Sequence, residues 1–249
     1  MKKIIVIGLL AALGCASCQQ QQQEQVMDEE TLQRRLADAC YGYNHFQRLN
    51  DNARERVLEG GVPPEWVTEA LEKQIRKHYP KLMAITKRED RVLFTNGISN
   101  EYSAARDKVT NPIIMLREFP GPDTLTLMLK YAKSTDYVVA RCAVDTYIAI
   151  TGGGAVPFLR EYVSKDGRGN IHSLSQRLRV PIKNFKENNR NNDAAKLNAF
   201  LLEHLQEEED WSLVRMVDEV LLKTLDGHAG SDLREQAYRR FGKEMPEAK

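Results

Sequence analysis

The chain has 249 residues, 42% of them hydrophobic, enough to bury a core in one long or two short domains. Lys and Arg number 36 against 35 Asp and Glu, so the formal net charge is +1, and losing Lys2 and Lys3 with a leader would leave 34 cations. Such near-neutrality argues against a general nucleic-acid binder, and an aromatic share of 7% beside 29% charged residues fits solvated helical surfaces better than a β-rich core.

Residues 1–15, MKKIIVIGLLAALGC, place two lysines before an uncharged apolar run from Ile4 to Leu13, with Gly14 and a cysteine after it. This is the layout of a secretory leader. Ten apolar residues rise only ~15 Å as a helix, about half the hydrocarbon layer, so a permanent transmembrane helix is the weaker reading. The stretch Ala12-Leu13-Gly14-Cys15 resembles the lipobox of bacterial lipoproteins, with Ala at the position three before the cysteine where Leu is commoner. The resemblance implies cleavage after residue 14 and lipidation of Cys15. In the lipoproteins it resembles, Asp directly after the lipidated cysteine favours the inner membrane, so the resemblance with Ala16 there implies the outer membrane where there is one. Cys18 is the competing lipidation site, and an ordinary signal cut after Ala16 or Ser17 is the alternative processing. Residues 15–27 contain QQQQQEQ, which buries no apolar surface and is expected to be a flexible tether.

A helical region is expected over residues 28–109. Asp28, Glu29 and Glu30 stand at the start of a helix to about 42 carrying Leu32, Leu36 and Ala39, and a second helix is expected from His45 to Leu58. Gly60, Gly61, Pro63 and Pro64 break the chain. Trp66, Val67, Ala70, Leu71 and Ile75 form the next apolar stripe, with a restart at Pro80 before Leu82, Met83 and Ile85. Residues 92–97, VLFTNG, read as an extended connector, since a lone strand has nothing to pair with. Short helices are expected over Glu101 to Lys108 and Pro112 to Phe119, the second opening on its proline.

The most patterned stretch is 123–165. Leu125, Met128, Leu129 and Ala132 recur at i, i+3, i+4 and i+7. Asp136 then stands at an N-cap position. Val139, Cys142, Ala143, Thr146, Tyr147 and Ile150 follow on one face, before the stop Gly152-Gly153-Gly154. Leu127, Tyr131, Tyr137 and Trp211 fall off the stripes and are expected to be exposed. The pattern echoes itself 74 residues on, where Asp136, Val139, Arg141, Ala143, Tyr147 and Gly153 become Asp210, Leu213, Arg215, Val217, Leu221 and Gly227. The helix before it repeats at an offset of 72, with Leu125, Met128 and Leu129 becoming Leu197, Phe200 and Leu201. Such spacing suits a helical solenoid. Over about 110–241 the chain resembles HEAT-like repeats, including the short variety named for phycobilisome lyases, with the arginine one place later than in that pattern. The resemblance implies an all-α fold, a right-handed α-solenoid of HEAT-like helix pairs over 110–243 preceded by the N-terminal helical region, and a scaffold without lyase activity.

No motif points to a catalytic, metal or cofactor site. The glycines after Thr151 lack the GK[ST] ending of a phosphate loop, and the histidines at 45, 78, 172, 204 and 228 have no metal-binding spacing. Cys40 and Cys142, without CxxC spacing, read as buried small hydrophobes, with a long-range disulfide as the alternative. Segment 165–190 is locally basic and reads as a solvated loop or, through Arg177, Arg179 and Lys183, as a contact for an anionic partner. The expected function is that of a lipid-anchored envelope scaffold that binds a protein partner. The alternatives are a binder of anionic envelope polymer through the basic 165–190 segment, and an envelope enzyme or enzyme subunit with a site between the N-terminal helices and the repeats, around Tyr41, Tyr43 and His45.

Overall fold

The computed structural model describes residues 27–41, 48–87, 96–164 and 169–246, with 96–100 described as backbone alone. The leader, Cys15, Cys18, Tyr43, His45, residues 92–95 of the expected connector, Lys165 and Arg168 lie outside the described residues. Among the described residues the fold is all-α apart from one short antiparallel ribbon. The chain divides into two compact units, one taking residues up to 124 with 135–142, the other 125–134 with 143 onward.

In the first unit α1 spans Glu29–Ala39. Asp28 caps it, its carboxylate accepting from the Thr31 amide at 2.8 Å and the Thr31 hydroxyl at 2.7 Å. Leu32, Leu36 and Ala39 form the buried stripe, as their spacing predicts. The expected helix from His45 is shorter. Cys40–Tyr41 (β1) pairs with Arg48–Leu49 (β2), and Asn52 takes a left-handed φ of 59° before α2, Ala53–Val57. The polar run Asn50-Asp51-Asn52 explains this, because Asn side chains bond backbone locally and tolerate that conformation. Here Asn50 donates to the Asp38 carbonyl at 2.8 Å.

Helix α3 runs Pro64–Thr86 and α4 Asn96–Met115, and they are the principal packed pair of this unit. Neither breaks at its internal proline. Pro80 is exposed and lies within α3, so the stripe Val67, Leu71, Ile75, Leu82 and Ile85 continues unbroken. Pro112 lies within α4 rather than opening a helix, followed by a 3₁₀ turn at Leu116–Glu118. A proline removes one ladder bond, and burial of Val109, Ile113, Ile114 and Met115 on both sides of Pro112 offsets that loss.

Helix α5, Pro122–Tyr131, and α6, Tyr137–Thr151, come from the central stretch. Asp136 caps α6 as expected, accepting from the Val138 and Val139 amides at 3.0 and 3.1 Å. Its second oxygen accepts from the hydroxyls of Tyr102 at 2.7 Å and Thr86 at 3.2 Å, so the cap is also a buried junction with α3 and α4. Helix α6 is buried on nearly every side, including Val138, Val139, Ala140, Ala143, Val144 and Ile148. Two expectations for this stretch fail: Leu127 and Tyr131 are buried, not exposed. Tyr137 is 53% exposed and Trp211 is partly buried.

The second unit continues with a 3₁₀ turn at Gly152–Ala155, then α7 Val156–Val163, α8 Ile171–Glu187, α9 Asn191–Glu207, α10 Trp211–Thr224 and α11 Ser231–Arg240. Segment 171–187 is therefore helix, not loop, because Leu174, Leu178, Ile182 and Phe185 recur on one buried face. Helix α8 packs on α9 and α10, and α9 also contacts α11 and the glycine turn. The echo of the cap is real: Asp210 accepts from the Ser212 amide at 2.8 Å and hydroxyl at 2.7 Å. The arginines differ in setting, since the Arg215 side chain is 63% exposed while the Arg141 Nε is buried.

His204 on α9 lies edge-on to Phe200, with ring centroids 4.7 Å apart. Burial lowers its pKa below the usual histidine value, only partly countered by Glu207, Glu203 and Glu208. The unfolded chain therefore binds the proton more readily, and the stability contributed by neutral His204 is present above about pH 6.5 and lost as pH falls through its folded pKa. Between pH 7.5 and pH 5.5 the thermal midpoint should fall, and fall less in His204→Leu. An equal fall in both would remove His204 as the cause. The capping carboxylates Asp28 and Asp210, whose pKa values are lowered by Thr31 and Ser212 hydrogen bonds respectively, lose their contribution only at more acid pH.

Candidate binding site

The basic residues singled out from sequence do not act as a set. The Arg177 side chain is only 7% exposed and pairs with Asp145, its Nε donating at 2.9 Å. It bridges α8 to α6. Arg179 and Lys183 are exposed one turn apart on α8, and Lys183 pairs loosely with its own helix at Glu187, 3.5 Å away. Lys186 pairs with Asp226 at 2.7 Å and Arg190 with Asp193 at 2.7 Å. What remains for an anionic partner from the expected trio is a two-residue patch of Arg179 and Lys183.

The glycine turn is no anion loop either. Its Gly153 amide already donates to the Asp193 carboxylate at 2.9 Å. Burial raises the Asp193 pKa, but the Gly153 amide and Arg190 more than offset that and hold it below the usual carboxylate range. Cys40 is a buried thiol pushed up to about 12 by burial, and it forms no disulfide with the likewise buried Cys142. Among the described residues no group of three or more His, Cys, Asp or Glu is placed to hold a metal ion.

Among the described residues, a concave feature with unmet hydrogen-bonding capacity is in the first unit, a cleft of about 250 Å³ where the start of α1 meets α3. From α3 it takes Trp66, Glu69, Ala70, Lys73 and Gln74, residues recurring at three and four so that one face of the helix forms the wall. Met27, Glu29 and Leu32 face it from the other side. Glu29 is engaged, with Lys77 and with His78 Nε2 at 3.0 Å, which lowers its pKa. Gln74 is not. It is 4% exposed, and its side-chain oxygen and nitrogen are both buried with no partner among the described residues.

Comparison with protein-family models, curated proteins and solved structures finds no match.

The cleft escapes a motif search because its parts are ordinary residues of an amphipathic helix. The available signal is Gln74 itself, a polar residue at the core register of Val67, Leu71 and Ile75. Tyr41, expected near a possible enzyme site, is 49% exposed on β1. One helical run among the described residues, Tyr137–Val163, is long and apolar enough to cross a bilayer by length and composition, and 56% of its most apolar window is buried within the protein.

Proposed function

We propose that this protein is a lipid-anchored scaffold of the bacterial cell envelope, held to the outer membrane or cell surface through Cys15, with a helical body that binds a protein partner without turnover. The observation that carries the reading is the order of the sequence: a charged start, a short apolar run ending Ala12-Leu13-Gly14-Cys15, a glutamine-rich stretch, and then a helix capped at Asp28. Several acyl chains on one residue anchor firmly, since each buried CH₂ contributes ~0.8 kcal/mol. In this reading the C-terminal helix pairs stack as a right-handed HEAT-like solenoid whose surface receives the partner. The recurring caps Asp136 and Asp210 and the packing of α8, α9 and α10 on one another support it.

Cys15→Ser tests the anchor. Wild type should sediment with membranes and release only in detergent, while the variant should appear in the soluble fraction. A variant that stays with the membranes as wild type does would refute anchoring through this residue, and Cys18→Ser in parallel tells the two cysteines apart.

A further inference from the structure

The amide of Gln74 is the starting point. A side chain that is 4% exposed with both polar atoms unpaired costs more than an apolar residue of similar size would at the same position. One donor and one acceptor together are the complement of a single peptide unit, which presents one carbonyl and one N–H. Trp66 and Leu32 line the same cleft and supply apolar surface. Glu69 and Lys73 stand four residues apart on α3, the spacing and order that ordinarily give an intrahelical ion pair, yet neither has an ion-pair partner among the described residues. The cleft thus carries an anion and a cation about one helical turn apart, an apolar wall and one unmatched amide.

We propose that the cleft binds a short zwitterionic peptide, a dipeptide with an apolar side chain, with its ammonium on Glu69, its carboxylate on Lys73, its side chain against Trp66 and Leu32, and its one peptide unit paired with the Gln74 amide, which turns into the cleft to meet it, since neither of its polar atoms is exposed. The volume of about 250 Å³ lies just below the range of ligand pockets, roughly 300–1,000 Å³, which matches a ligand of this size and not a drug-sized molecule or a long segment. This assignment is independent of the lipid anchor and of the solenoid.

The experiment is calorimetric titration of the full-length chain, in detergent, with Ala-Leu and with its doubly blocked analogue N-acetyl-Ala-Leu-amide. Saturable one-to-one binding of Ala-Leu is expected, weakened at least tenfold by Gln74→Leu, by Lys73→Gln and by blocking the two termini. Thermal unfolding of each variant checks that the fold is kept, and Gln74→Leu should unfold no earlier than wild type. Loss of binding in Gln74→Leu with unchanged binding of an unrelated surface probe, such as a dye partitioning onto exposed apolar patches, separates loss of the site from loss of the fold. No heat of binding at millimolar dipeptide, or equal affinity in wild type and Gln74→Leu, would overturn the proposal. Equal affinity for the blocked analogue would overturn the roles given to Glu69 and Lys73.

Discussion

Asp218→Ala is expected to cost about 3–5 kcal/mol of stability, the range for stranding one member of a buried ion pair. Asp218 on α10 is fully buried, and Arg234 on α11 is 3% exposed. The guanidinium approaches the carboxylate at two points, Nε with Oδ1 and Nη2 with Oδ2 at 3.1 Å, and the Tyr238 hydroxyl donates to Oδ2 at 2.9 Å. Burial raises the phenol pKa, and the hydrogen bond to Asp218 raises it further, so Tyr238 stays a donor. Trp211 covers the assembly edge-on, 5.0 Å from the Tyr238 ring. Removing the carboxylate leaves a cation with no counter-charge in an apolar site and a hydroxyl without its acceptor, and both penalties fall on the contact between α10 and α11. At roughly 2–4 °C per kcal/mol for a chain of this size, the thermal midpoint should drop by about 10 °C. The double variant Asp218→Leu, Arg234→Met should recover the part of the loss due to the stranded cation, because a well-packed apolar pair replaces a buried ion pair at little net cost, while the Tyr238 hydroxyl left without its acceptor keeps a penalty of about 1–3 kcal/mol. An Asp218→Ala variant within 1 kcal/mol of wild type would mean that the pair is hydrated in solution.

The second large effect belongs to Gly152. Its φ is +57°, and a Cβ built there would lie 2.4 Å from Cγ of Asp193 on α9. Two separate penalties therefore apply to Gly152→Ala: about 1–2 kcal/mol for a left-handed backbone with a side chain, and about 1–3 kcal/mol for overpacking. The loss should come to about 2–5 kcal/mol in urea unfolding. Other glycines separate the terms. Gly227 has φ +55° with no atom within 4 Å of a Cβ, so its alanine variant should show the backbone penalty alone. Gly154 has a negative φ and a nearest atom at 3.7 Å, so its alanine variant should be close to neutral. Were all three variants to lose the same amount, close packing of α9 on the glycine turn would not be the reason for Gly152.

These two sites show what a single sequence carries and what it hides. Local signals are legible: Asp28, Asp136 and Asp210 sit where a helix needs an acceptor for its first amides, and each makes that bond. The stripe of α1 and the stop at Gly152 follow from geometry that a few neighbouring residues decide. Prolines mislead for the opposite reason. Pro80, Pro112 and Pro181 all lie inside helices, since apolar burial on both sides outweighs a lost hydrogen bond. Burial of Leu127 and Tyr131 depends on distant parts of the chain and is invisible in their own helix. Arg177 looks like one cation among many until Asp145, far off in sequence, takes it. Asp218 and Gln74 left a trace: each is a polar residue at a position whose register neighbours are apolar, Val214, Val217 and Leu221 for the first, Val67, Leu71 and Ile75 for the second. A misfit of that kind marks a residue with something to bind, and only the three-dimensional arrangement separates the one that has found its partner from the one that has not.

Tethering of the helical body to a membrane through the residue that follows Gly14 is the central proposal. Mass analysis of the N-terminal peptide of the native protein, isolated from membranes, addresses this most directly. The expected result is a peptide beginning at Cys15 and heavier than its sequence by a diacylglycerol, with or without a further acyl chain on the amine. An unmodified peptide beginning at Ser17 or Cys18, or one still carrying Met1, would contradict it.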